Sequence, residues 1–121
     1  MANFTLDMSR FANKSLGEIE QVVRKTAIDL TTSIIKSTPV DTGRARANWF
    51  VSFENAIEDI TDDTNSAKAL SNATNTIRKG NLGGTIFIQN NLDYIAGLEY
   101  GKSKQAPQGM VRINVERFAK R

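Results

Sequence analysis

Pro39 separates two hydrophobic patterns that no single element can satisfy. Before it, Leu16, Ile19, Val23, Ala27, Leu30 and Ile34 recur at steps of three or four residues, which places them on one face of a helix. After it, Trp49, Val51 and Phe53 alternate with Phe50, Ser52 and Glu54, the period of a strand with one face in a core. Proline lacks an N–H and disfavours helical backbone in the preceding residue, so the helix must stop at Thr38. Asp41 and Thr42 can accept hydrogen bonds from amides two or three residues on, and Gly43 permits a turn that a Cβ resists. Thr38–Trp49 therefore reads as a helix-to-strand elbow.

Around that elbow the rest of the chain sorts into short elements. Ser15 and Glu18 have the spacing of a capping box, and a helix from Leu16 to Lys36 would reach about 30 Å. Val22, Ile28 and Ile35 widen its apolar stripe, either for a broad core face under a sheet or for a second surface against another subunit. Phe50 points away from Trp49, so the strand is covered on both sides at its start or Phe50 lies at an interface. Thr61-Asp62-Asp63-Thr64 has the composition of a helix N-cap. Ala67, Leu70, Ala73 or Thr74, and Ile77 then mark a second, weaker helix expected on the rim, closed by Arg78, Lys79 and a capping Gly80.

Asn81–Gly84 reads as a turn and Thr85–Gln89 as a central strand, apolar on both faces. Leu92–Leu98 suits a short helix or turn presenting Tyr94 and Ile95, and Glu99-Tyr100-Gly101 with residues 102–109 an exposed loop. Val111, Val115 and Phe118 predict a C-terminal amphipathic helix. Residues 1–14 fit a short helix (Phe4, Met8, Phe11) or a short strand (Phe4, Leu6) equally well. A stable sheet needs a third strand, from this N-terminal segment or from the chain near Arg112–Asn114. The expectation is one α+β domain over residues 1–121: a long N-terminal helix on a small, mostly antiparallel sheet, with a second helix and a C-terminal helix.

The chain has neither cysteine nor histidine. Disulfides and thiolate metal sites are thereby excluded, and the commonest general base and metal-binding nitrogen are missing. Asp41-Thr42-Gly43 matches the triplet of aspartic proteases, but that triplet follows a strand, whereas here it follows a helix end. Gly80, Gly83 and Gly84 precede a strand instead of opening a helix, so they form no phosphate loop. Asp62-Asp63 suits a cap better than a metal. The expectation is a protein without catalytic residues, metal or cofactor. The N-terminus resembles no secretion signal and no run approaches a membrane span, which points to folding in a cytoplasm.

Charge is unevenly spread. Glu54, Glu58, Asp59, Asp62 and Asp63 form an acidic run, while from Arg78 onward eight bases stand against three acids. Such segregation suits head-to-tail contact between copies or two solvated patches. With net charge +3, sequence pI near 9.4, and Arg44 and Arg46 beside Trp49, non-specific nucleic-acid binding is the alternative function.

Three ordered motifs carry a resemblance. Pro39-Val40-Asp41-Thr42-Gly43-Arg44-x-Arg46-x-Asn48-Trp49, then Tyr94–Gly101, then Gln105–Met110 are similar to the signature of the small neck and tail-completion proteins of long-tailed bacteriophages, over roughly residues 1–118. The resemblance implies a non-enzymatic virion protein, assembled in the host cytoplasm. It would form a homo-oligomeric ring that joins the capsid connector to the tail-terminator and tail-tube proteins around the DNA channel. It also implies the interface residues: Asp41, Thr42, Gly43, Arg44, Arg46, Trp49, Phe50, Tyr94, Glu99, Tyr100, Lys102, Lys104 and Gln108. Arg44 and Arg46 would meet a neighbour's carboxylates, Glu99 or the acidic run; alternatively Arg44 caps the first helix. Tyr94, Tyr100 and the 102–109 loop would meet the next ring along the axis.

Overall fold

The computed structural model describes residues 2–7, 16–80 and 84–119. Its elements in chain order are β1 (Ala2–Asp7), α1 (Leu16–Ser37), α2 (Arg44–Ala47), β2 (Trp49–Phe53), α3 (Ser66–Lys79), β3 (Thr85–Asn90), α4 (Ile95–Glu99) and α5 (Val111–Ala119). The expected α+β architecture is present. The three strands form an antiparallel sheet in the order β1-β3-β2, with β3 central as its two-sided apolar pattern requires.

Register fixes which residues share a face. Trp49 pairs with Asn90, Val51 with Ile88 and Phe53 with Ile86, and this face packs against α1. From the helix come Ile19, Val23, Ala27, Leu30, Ile34 and Ile35, all buried. Truncating one of the larger of these, such as Ile34, to alanine should cost about 2–5 kcal/mol. Val22 stays exposed, whereas Ile28 and Ile35 face the core, so most of the widened stripe serves packing within the subunit.

Several expectations are corrected. Of the two candidates for the third strand, the N-terminal segment forms it as β1, while Arg112–Asn114 lies inside α5, whose first amides Glu99 caps. The helix alternative that used Met8 and Phe11, the Ser15 capping box and the turn at 81–83 fall outside the described residues. The N-cap of α3 is Asn65, whose Oδ1 accepts the amides of Ala67 at 3.0 Å and Lys68 at 3.3 Å. In the 61–64 stretch Thr61 Oγ1 accepts from Asp63 N, and Asp63 Oδ1 from Asn65 N, so these two side chains close local turns just ahead of the cap.

Nor does α3 sit on the rim. Ala69, Ala73 and Ile77 are buried, and the two alanines let the helix approach α1 and β2 closely. Arg24 of α1 donates to the Ile77 carbonyl near the end of α3. Gly80 does cap α3, but in extended conformation (φ −69°, ψ 152°), so positive φ is not its purpose. A Cβ there would lie 2.1 Å from the Phe53 ring, and close approach is what demands glycine.

The second face of the sheet has its own cover. Gln89 is buried on that side and binds the backbone of Ile57, holding residues 55–61 over it. The half-buried Phe50 pairs with Gln89 on this face, so the strand is partly covered on both sides by its own chain.

Candidate interface cleft at the elbow

The elbow is built from hydrogen bonds that its sequence makes available. The buried Thr38 Oγ1 donates to the Ile34 carbonyl at 2.8 Å and accepts from Trp49 Nε1 at 2.9 Å, tying the last turn of α1 to the first residue of β2. Gly43 has φ 97°, and a Cβ on it would lie 2.6 Å from the Thr64 carbonyl oxygen. Both facts exclude a larger residue. Arg46 donates through Nε to Thr38 O at 2.7 Å and through a terminal nitrogen to Lys36 O at 2.9 Å. It is therefore Arg46, not Arg44, that caps α1, with its charge at the favourable end of the helix dipole. Arg44 turns the other way, donating to Thr61 O at 3.3 Å and pairing with Asp62 at 3.2 Å.

The second motif contributes α4 and a carboxylate. Glu99 is buried, not part of an exposed loop, and accepts the amides of Met110 (2.9 Å), Val111 (2.8 Å) and Arg112 (3.0 Å). Burial alone would raise its pKa, but the three amides and the Arg112 side chain outweigh that and hold the carboxyl below the usual range. Glu99 thus caps α5 and closes the 100–109 loop at its base. Gly109 fits against this knot, where a Cβ would meet the Glu99 carbonyl oxygen at 2.3 Å. Tyr100, 73% exposed, lies outside it with Arg112 over its ring at 5.0 Å.

The third motif returns to the first. Gln105 pairs with the backbone of Val40, Oε1 accepting its amide at 2.9 Å and Nε2 donating to its carbonyl at 3.0 Å, across 65 positions of sequence. The three motifs thereby enclose a cleft of about 410 Å³, with Pro39–Ala45 on one side, Tyr94 and Leu98 on another, and Ser103 and Gln105 on a third. Tyr94 and Val40 are exposed at its mouth.

The structure divides the expected interface residues. Asp41, Thr42, Gly43, Arg44 and Tyr94 line the cleft, and Lys102 and Lys104 are exposed on the loop that forms its third side. Gln108 is exposed on the far part of that loop, and Tyr100 stands beyond it. Trp49 is 1% exposed and belongs to the core, because a large ring with one N–H to satisfy packs best where Thr38 receives it. Glu99 is occupied by its own chain and unavailable to a neighbour's arginine. Ile95, expected at the surface beside Tyr94, is fully buried. Phe50 lies apart, on the other face of β2.

Val40 and Leu98 were not among the expected site residues, and Ser103 and Gln105 were expected only as part of the 102–109 loop; the pairing of Gln105 with Val40 had no local signal because the two lie so far apart in sequence. Among the described residues no group of three or more Asp and Glu side chains could hold a metal ion, and no helix is long and apolar enough to cross a membrane. The cleft offers apolar surface, backbone edges and flanking charge, which suits recognition of a protein segment. Compared with protein-family models, curated proteins and solved structures, the chain finds no match.

Proposed function

We propose that this chain is a non-enzymatic structural subunit of the neck of a long-tailed bacteriophage, assembling with copies of itself into a ring between the capsid connector and the tail tube. The observation that carries the reading is the convergence of the three resembling motifs on one cleft. Residues 39–45 are remote in sequence from 94–98 and 103–105, yet all share this surface, braced by the Gln105–Val40 pair. A ring requires a contact that repeats by rotation, and a rigid elbow sets the angle at which such a surface is presented. The protein would sit in the virion neck after assembly in the host cytoplasm, beside connector and tail-terminator or tail-tube proteins.

Support for the nucleic-acid alternative is weaker at this surface, because the guanidiniums of Arg44 and Arg46 are engaged by carbonyls and a carboxylate of the same chain. Mass measurement of the purified chain across concentration and salt, with and without connector proteins, tests the proposal, together with tag localisation on virions. Rings or ring fragments and a label at the neck are expected. An infectious particle lacking the polypeptide would overturn the reading. A monomer that retains DNA with a steep salt dependence would point to nucleic-acid binding instead.

A further inference from the structure

Residues 55–62 form no helix or strand, yet side-chain amides hold them in place. Gln89 Oε1 accepts the Ile57 amide at 2.9 Å. Asn91 Nδ2 donates to the carbonyls of Ile57 and Asp59, each at 3.1 Å. Asn48 takes both the N–H and the C=O of Thr61 at 2.9 Å. Ile60 lies between two residues whose backbones are fixed in this way, and it is 51% exposed. The flanking Glu58 and Asp59 are also exposed. The result is an apolar side chain on a pre-shaped backbone, bordered by negative charge, and pre-organisation of this kind lowers the entropy cost of binding.

We infer that the 58–62 segment of one copy docks in the elbow cleft of a second copy, with Ile60 entering the cleft and Glu58 and Asp59 meeting Lys102 and Lys104. The inference rests on the self-assembly reading above and specifies its contact. The cleft, about 410 Å³, lies in the size range of binding pockets and presents the apolar groups of Val40, Tyr94 and Leu98 to an incoming aliphatic side chain. Charge complementarity selects the occupant. The two lysines do not line the cleft but are exposed on the loop whose Ser103 and Gln105 do, next to those residues in sequence, and their charge attracts the segment's acids. The elbow side carries Asp41 beside Arg44, and Arg44 is already paired with Asp62 of its own chain, so the attraction comes from the loop side. The Lys102 stem passes over Gly97, where a Cβ would lie 2.9 Å from its Cδ, so the absence of a side chain there leaves the lysine its place.

The chain's lack of cysteine makes engineered thiols clean reporters. Full-length Ile60→Cys and Tyr94→Cys chains are mixed and oxidised, with Val22→Cys, an equally exposed site on α1, replacing Ile60→Cys in the control mixture. The mixed disulfide should exceed the control. It should fall about tenfold when Lys102→Glu and Lys104→Glu are added to the Tyr94→Cys chain, or Glu58→Lys and Asp59→Lys to the Ile60→Cys chain, and should return when both reversed chains are combined. All substituted positions are exposed, and thermal melting verifies folding. A disulfide yield no higher than the control, or rings that persist with Ile60→Asp, would overturn this contact while leaving ring assembly standing. A specific disulfide in a protein absent from the virion neck would retain the contact and reject the neck assignment.

Discussion

The side chain of Asn48 pairs with the backbone of Thr61 as a neighbouring strand would, donating to its carbonyl and accepting its amide, each at 2.9 Å. Gln89 does the same for Ile57 and Gln105 for Val40. A carboxamide carries a donor and an acceptor side by side, like a peptide unit, and can complete an irregular segment that has no strand beside it. Among the described residues the sheet has three strands, such side-chain pairs hold the loops, and no buried side-chain polar atom lacks a partner.

Asn48→Leu should therefore act beyond its own position. It removes the partner of the Thr61 amide and carbonyl and a donor to Arg44 O at 2.8 Å. Each buried group left unmet costs about 1–3 kcal/mol, so urea unfolding should show a loss at or above that range. Hydrogen exchange should accelerate in residues 55–64 more than in α1. Uniform acceleration over the whole chain would mean that Asn48 contributes only to global stability.

Glu99 gives the fold a dependence on acidity. Its carboxyl has a folded-state pKa below the unfolded value of about 4.3, despite the opposing effect of burial. The carboxylate's contribution is thus fully present above the unfolded value and lost as pH falls through the depressed folded one. Glu99→Gln keeps the shape but accepts fewer of the three amides, so the stability gap to the parent chain should be constant near neutral pH and shrink below about pH 4.3. A gap that widens on acidification would contradict this cap.

Gly43 and Gly80 are both required, for different reasons that a pair of variants can separate. At Gly80 the obstacle is the Phe53 ring, 2.1 Å from a Cβ, and φ is ordinary. Gly80→Ala should destabilise the parent chain, yet be tolerated where Phe53→Ala has cleared the space. At Gly43 the obstacles are φ 97° and the Thr64 backbone oxygen at 2.6 Å, which no side-chain deletion removes. Gly43→Ala should cost about 1–3 kcal/mol in either background, read from denaturant midpoints.

How far the sequence reveals this structure depends on the range of the interactions. The long helix, the elbow, β2, β3 and α5 were legible because each rests on local periodicity or on the backbone limits of proline and glycine. The choice of β1 as third strand was not, since Phe4 and Leu6 permit either period until β3 supplies a partner. Glu99 reads as a loop residue because the amides it caps lie 11 to 13 positions away. The cleft was half legible: its elbow, Tyr94 and Gln105 belong to recognisable motifs, while the contact that brings Gln105 against Val40 arises only when the chain returns across 65 residues.

Arg46 shows the consequence for reading a surface motif. A guanidinium beside a turn looks available to a neighbour, but here it spans the carbonyls of Lys36 and Thr38 at the end of α1. Arg46→Glu should therefore lower the stability of the isolated subunit by about 1–3 kcal/mol, through lost charged hydrogen bonds and repulsion between a carboxylate and the helix C-terminus. Arg46→Met loses the hydrogen bonds without adding that repulsion. Melting of the two variants should differ most at low ionic strength and converge as salt screens the charge. If both melt with the parent chain, the two hydrogen bonds contribute nothing measurable to folding, and a defect in assembly would then have to come from a contact with another subunit.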